Sequence, residues 1–232
     1  MSGPPAGGAF SAIRWRLSQV AAVLAGSTLD LDPYDPQRHG PLVSFAGREG
    51  FEEVERYWVN APFAFVAILH DPEENRYRYE VVEPELSDFE ATLLEQLFTD
   101  SRESLIYRAA YDPADAEAAI TDQLVELLGE YGVEVDTATV YRLFYYLYRA
   151  FEGFEKLDPL MQDPHIEDIS CDGYGLPLFV YHDTYTDIRT NRSFEEDELD
   201  DFVIKLAQKS GQHISIGDPV TDVVAWLDDV PD

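Results

Sequence analysis

Leu157–His182, LDPLMQDPHIEDISCDGYGLPLFVYH, is the stretch whose reading decides the fold. Asp158-Pro159 and Asp163-Pro164 are turn or helix-start signals on either side of a short apolar segment. Ile166 to Cys171 then mixes apolar and polar residues in the manner of a strand with one buried face. Asp172-Gly173-Tyr174-Gly175 supplies residues that tolerate positive φ, so the chain can reverse. Leu178 to His182 returns as a second strand, and the whole reads as a hairpin.

Working outward, the C-terminal side continues with a strand over Tyr185–Thr190 and a helix opened by a Ser193/Glu196 capping box. Leu199, Phe202, Val203, Leu206 and Ala207 form the apolar stripe of that helix. His213–Ile216 and Val220–Trp226 read as further strands. On the N-terminal side, Thr137–Phe151 has Val140, Leu143, Phe144, Leu147 and Phe151 at helical spacing. Its tyrosines (Tyr141, Tyr145, Tyr146, Tyr148) read as packing rather than as a ligand platform. A helix before it starts at Asp112-Pro113 and stops at Gly132. The first helix of the three runs from Ser87, whose capping partner is Glu90, to about Ala110, with Phe89, Leu93, Leu94, Leu97 and Phe98 inward. Ahead of it, the continuous apolar run Phe63–Leu69 and the alternating Tyr77–Val82 form a hairpin around Asp71-Pro72-Glu73-Glu74-Asn75. Residues 1–50 read as a tail and Pro-rich linker, with one possible helix over Phe10–Leu24. The expected organisation is α+β: a tail (1–50), a hairpin plus three-helix domain (51–153) and a small α+β domain (154–232).

Composition narrows the function. Sixteen Lys+Arg against 46 Asp+Glu give a net charge of −30. Such a field repels phosphate backbones and anionic headgroups, which argues against nucleic-acid or bare-membrane binding. Many acids with few lysines suit a protein kept soluble at high salt. The single cysteine, Cys171, excludes an internal disulfide. No apolar run reaches the ~18 residues of a membrane span, and Arg14 and Arg16 before Val20–Gly26 only faintly suggest a secretory signal.

The quoted stretch, DPLM-x-DP-x-IEDISCDG followed by P-x-FVYH, resembles the N-terminal region of archaeal type II/type IV secretion ATPases, the motors of archaeal pili and archaella. KLAQKSGQHISI with Asp218-Pro219 extends the likeness, as do the earlier YWVNAPFAFVAIL and YRYEVVEPEL. The resemblance implies a PAS-like domain from Phe154 onward, in a protein acting as a hexameric ring at the cytoplasmic face of a membrane. It implies an integral-membrane platform protein and a self or paralogous ATPase ring as partners, and ATP with Mg²⁺ as cofactors of the complete family member. It assigns Arg189 and Arg192 to the nucleotide only when a motor domain is present; otherwise they read as solvated loop arginines.

The residues themselves supply no chemistry. No lysine follows a glycine, so the G-x-x-x-x-G-K-[ST] phosphate loop is absent from this sequence. The expectation is therefore a transmission module without catalytic, cofactor or metal residues of its own. The alternatives are a stand-alone adaptor or regulator of a complete paralogue and, last, a small-molecule sensor. Glu167, Asp168 and Asp172 read as chance clustering in an acidic chain, with Glu167 and Ile169 on one face. Cys171 with His182 suggests a nucleophile and base, but a lone buried cysteine is the preferred reading. His165, His182, His213 and Cys171 lack metal-ligand spacing.

Overall fold

A computed structural model describes residues 34–109 and 116–209. The order of elements is α1 (Pro36–His39), β1 (Glu52–Asn60), β2 (Ala64–Asp71), β3 (Arg76–Val82), α2 (Asp88–Ala109), α3 (Ala116–Tyr131), α4 (Thr137–Phe151), a 3-10 turn (Glu155–Leu157), α5 (Asp158–Met161), β4 (Ile166–Ser170), β5 (Pro177–His182), β6 (Thr186–Ser193) and α6 (Glu196–Lys209). This is an α+β fold. The tail helix over Phe10–Leu24, the start at Asp112-Pro113 and the strands over His213–Ile216 and Val220–Trp226 lie outside the described residues.

The six strands form one sheet in the order β1-β2-β3-β6-β5-β4. Two antiparallel meanders, β1–β3 and β4–β6, join edge to edge through a parallel contact between β3 and β6. There Arg78 faces Arg189 and Tyr79 faces Thr190. The strands on either side of residue 153 therefore belong to a single sheet. Asn191 extends the junction with its side chain, which accepts from the Val81 N–H and donates to the Val81 carbonyl, both at 2.9 Å. An amide in place of a backbone ladder satisfies both groups where the strands part.

β2 explains its own composition. Ala64 to Leu69 is buried throughout, as a central strand covered on both faces must be, and an alternating pattern would have left one face bare. Val66 and Ile68 face one core with Tyr79, Val81, Leu178, Val180, Ile188, Leu160, Phe194 and Phe202. Phe63, Ala64, Phe65 and Val82 join a second core built with α2, α3 and α4. The face of β3 opposite Tyr79 and Val81 carries Arg78 and Glu80, and the segment before β1 lies over it: Arg48 pairs with Glu80 at 2.8 Å, and Arg78 stacks on Phe51.

The hairpin of the quoted stretch is β4–β5, with one departure from simple alternation. A register shift between Ile166 and Asp168 inserts an extra residue, so Ile166 and Ile169 are the half-buried pair and Glu167 is exposed. Cys171 is exposed, not buried, because the strand ends at Ser170 before its face is covered. Phe89 is also exposed, at 55%, since the first turn of α2 projects past its neighbours. The Ser87/Glu90 capping box forms as read: the Ser87 N–H donates to Glu90 and the Glu90 N–H returns to Ser87 Oγ. The second box sits elsewhere than at Ser193/Glu196. The Glu195 carbonyl accepts from Leu199, and the Glu195 N–H donates to Glu198 at 2.9 Å.

Glu90 also ties α2 to α4, accepting from Arg142 Nε at 2.8 Å and Thr139 Oγ1 at 2.9 Å. Burial pushes this carboxyl up, but the Ser87 amide and the Arg142 guanidinium outweigh burial and hold it at about 2. A carboxyl held below its ordinary value of 4.5 contributes stability in full above that pH and loses it as pH falls toward about 2. Glu90→Gln is therefore expected to cost stability at neutral pH, with urea midpoints of the variant and the parent converging through that acid window. A gap independent of pH would contradict the assignment. Cys171 is expected to react with a maleimide in the native state almost as fast as in denaturant.

Candidate functional site: an arginine-lined cleft

Three polar clusters among the described residues join side chains from both meanders. The first surrounds Asp163, which is 4% exposed. Its Oδ1 accepts the His165 N–H, which is the turn read from Asp163-Pro164. Its Oδ2 accepts the hydroxyls of Tyr57 at 2.7 Å and Tyr79 at 2.5 Å. Burial, followed by the Asp163 carboxylate, pushes both phenols far above their usual range. His182 completes the group. Its Nδ1 accepts the Thr184 N–H, which leaves Nε2 to donate to the Tyr57 oxygen at 3.1 Å. Each of these polar groups has a partner, and the rings of Tyr57, Tyr79, His165, His182 and Tyr185 pack against one another around them. This arrangement locks the 163–165 turn onto β1 and β3 and leaves no group free for chemistry.

The second place surrounds Glu83, just past the end of β3, whose side chain is 5% exposed. Arg149 from α4, Arg192 from β6 and the Tyr145 hydroxyl all bond to its carboxylate. Burial pushes the Glu83 carboxyl up; Arg192 and Arg149 together outweigh burial and hold it below its ordinary value. The α4 tyrosines are structural: Tyr145 binds Glu83, Tyr146 donates to the Pro84 carbonyl, Tyr141 accepts the Tyr34 N–H, and Tyr148 stacks on Phe144.

The third place is a cavity of about 260 Å³ on the Arg78 face of the sheet. Arg48, Arg78, Arg189 and Arg192 line it with Glu80, Asn191 and Ser193. Four of the sixteen cationic side chains of a chain with net charge −30 thus meet at one cleft. Arg189 and Arg192 are brought together here, on strand β6 and not on a loop. Their states differ. Arg192 is spent on Glu83, whereas Arg189 is exposed and has no partner among the described residues. Sequence reasoning missed Arg48, Arg78 and Glu80, although the scarcity of cations makes an arginine inside a strand such as Arg78 a usable signal.

The remaining sequence candidates stay apart. Glu167, Asp168 and Asp172 are exposed. The β4–β5 register pairs His182 with Ile166, at the opposite end of the hairpin from Cys171, so the two do not form a nucleophile–base pair. His213 lies outside the described residues. Among the described residues no group of three or more His, Cys, Asp or Glu side chains is placed to hold a metal ion. No helix among them is long and apolar enough to cross a membrane.

The described residues thus form an α+β scaffold with an arginine-lined cleft. Residues 11–85, which end at the close of the β1–β3 meander, match the family described as PilB3-like, N-terminal. Over 181 residues the chain is 32% identical to the uncharacterized protein MJ1288 of Methanocaldococcus jannaschii, covering 75% of this chain and 72% of that protein. It belongs to the same family as that protein. It is also 24% identical over 182 residues to the uncharacterized protein MJ0900 of the same organism, covering 68% of this chain but 32% of the relative's length.

Removing the Glu83 carboxylate leaves the half-buried Arg149 and Arg192 guanidinia without their shared counter-charge. Glu83→Gln is expected to destabilise the fold by about 3–5 kcal/mol in urea titration. A change under about 1 kcal/mol, the range of surface pairs, would show that the cluster is not the junction described.

Proposed function

We propose that this chain is the N-terminal, non-catalytic part of an archaeal secretion or type IV pilus-assembly ATPase. The match of residues 11–85 to the PilB3-like N-terminal family carries this reading. In it, a hexameric ring at the cytoplasmic face of the membrane hydrolyses ATP with Mg²⁺. This module relays the resulting motion to an integral-membrane platform protein, which moves pilin-like subunits outward. The residues here hold the docking and relay surfaces, and Arg189 is the cation available to face a nucleotide held by a motor domain.

The two relatives favour keeping a second reading, a stand-alone adaptor or regulator that joins a ring made by a complete paralogue. Alignments of nearly equal span cover 72% of one relative and 32% of the other. One relative is thus comparable in size to this chain and the other more than twice as long. The acidic surface suits either role in a high-salt cytoplasm.

Both readings predict that the purified 232-residue chain releases no phosphate from ATP, because no lysine-bearing phosphate loop is present in its sequence. Co-purification with a P-loop ATPase of the pilus type from the native host is the positive test. Turnover by the chain alone, or capture of no ATPase and no platform protein, would overturn the proposal.

A further inference from the structure

We propose that the cleft between β3 and β6 is a binding site for a phosphoryl group, held by Arg48, Arg78, Arg189 and the Ser193 hydroxyl. The site shares Arg189 with the role proposed above but does not require it, since the ligand is bound wholly within these residues and needs no motor domain.

The first argument is an unfavourable juxtaposition kept at the centre of the sheet. Arg78 and Arg189 are direct neighbours across the parallel β3–β6 contact, and like charges placed so oppose pairing. In a chain with nearly three acids for every base, a carboxylate opposite either arginine would relieve this at no structural cost. Instead the nearest carboxylates serve the arginines poorly. Arg78 reaches Asp71 at 3.6 Å and Glu74 at 3.8 Å, both beyond good hydrogen-bond length. Arg189 has no partner among the described residues, and Arg192 Nε is buried without an acceptor.

The second argument is what remains free to bind. The neutral polar neighbours are committed: Asn191 to both polar groups of Val81, and Thr190 Oγ1 to the Leu178 carbonyl at 2.9 Å. The Ser193 hydroxyl has no partner among the described residues. Unused capacity in the cleft is therefore almost all donor. The one carboxylate among the lining residues, Glu80, is already neutralised by Arg48. A site of spare donors selects an anion.

Geometry chooses among anions. The guanidinia arrive from three segments: the stretch before β1, strand β3 and strand β6. A planar carboxylate presents two oxygens in one plane and satisfies a single fork. A tetrahedral phosphoryl group presents three or more oxygens in different directions and meets guanidinia arriving from several sides. A cavity of about 260 Å³ holds such a group with accompanying water, but not a folded partner.

Calorimetric titration of the full chain with inorganic phosphate at constant ionic strength tests the site, with acetate and O-phosphoserine as companion probes. One saturable phosphate site is expected, weakened at least about tenfold in Arg189→Gln. It is expected to be unchanged in Arg102→Gln, an equal change of charge on exposed α2. Glu80→Gln, which releases Arg48 from its carboxylate, is expected to tighten binding. O-phosphoserine binding as well as phosphate places the group on a carrier molecule, and phosphate alone marks the free ion; either supports the site. Absence of saturable phosphate binding, acetate binding equal to phosphate, or Arg189→Gln binding like the parent would each overturn it. Arg189 is exposed and its loss relieves the repulsion from Arg78, so its variant is expected to melt no lower than the parent, which separates lost binding from lost fold.

Discussion

A single buried carboxylate, Glu83, holds the two halves of this molecule in register. It sits where β3 leaves the sheet for the helices, and it receives one guanidinium from α4 and another from β6. Neither arginine is tolerable in that interior without it, and the carboxylate is tolerable only because both are present. Three segments far apart in sequence are thus constrained by one local requirement for charge balance. Asp163 does the corresponding work at the middle of β3. It gathers the Tyr57 and Tyr79 hydroxyls and so fixes the turn that precedes β4. Tyr79, within the contact through which the meanders join, and Glu83, just past the end of β3, both anchor that contact.

The distribution of cations follows from the same scarcity. With 16 basic residues against 46 acidic ones, an arginine has abundant partners on the surface, where a pair contributes about 0–1 kcal/mol. Several of the arginines are placed where they matter more. Arg142 bridges α2 and α4 through Glu90, Arg149 and Arg192 meet Glu83, and Arg56 lies over the Phe65 ring. Arg189 departs from these placements, as Arg76 on β3 also does, with no partner among the described residues. It is exposed on a strand, beside another arginine, in a chain with no shortage of carboxylates. A position that departs from an otherwise consistent pattern is where a binding role is most economically sought.

The local elements were legible in the sequence, because periodicity and turn chemistry are local. The 157–182 hairpin, the β2–β3 hairpin, the Ser87/Glu90 cap and the α4 stripe all follow from spacing. Residues read by alternation failed where a bulge intervened: one inserted residue between Ile166 and Asp168 reverses the faces of Glu167 and Ile169. Cys171 was read as buried from its type alone, but its strand ends one residue earlier. The cleft was only half visible. Arg189 and Arg192 stand near one another in the chain, whereas Arg48 and Arg78 reach them through a strand pairing that no local pattern encodes. Glu83 and Asp163 were hidden for the same reason. One ends an alternating strand and the other belongs to an Asp-Pro turn, and each has its partners 60 or more residues away in another element.

Continuity of the sheet bears on how such a module moves. A boundary near residue 153 divides the chain in sequence, yet Val66, Ile68, Tyr79 and Val81 from one side share a core with Leu178, Val180 and Ile188 from the other. Separating them would return each of these side chains to water at about 1.5–3 kcal/mol apiece. It would also break the Asn191 bridge and expose the Glu83 and Asp163 clusters. No single ligand of ordinary affinity supplies a differential of that size. Strands β1 to β6 are therefore held as one sheet over a shared core, which opposes a hinge between its halves.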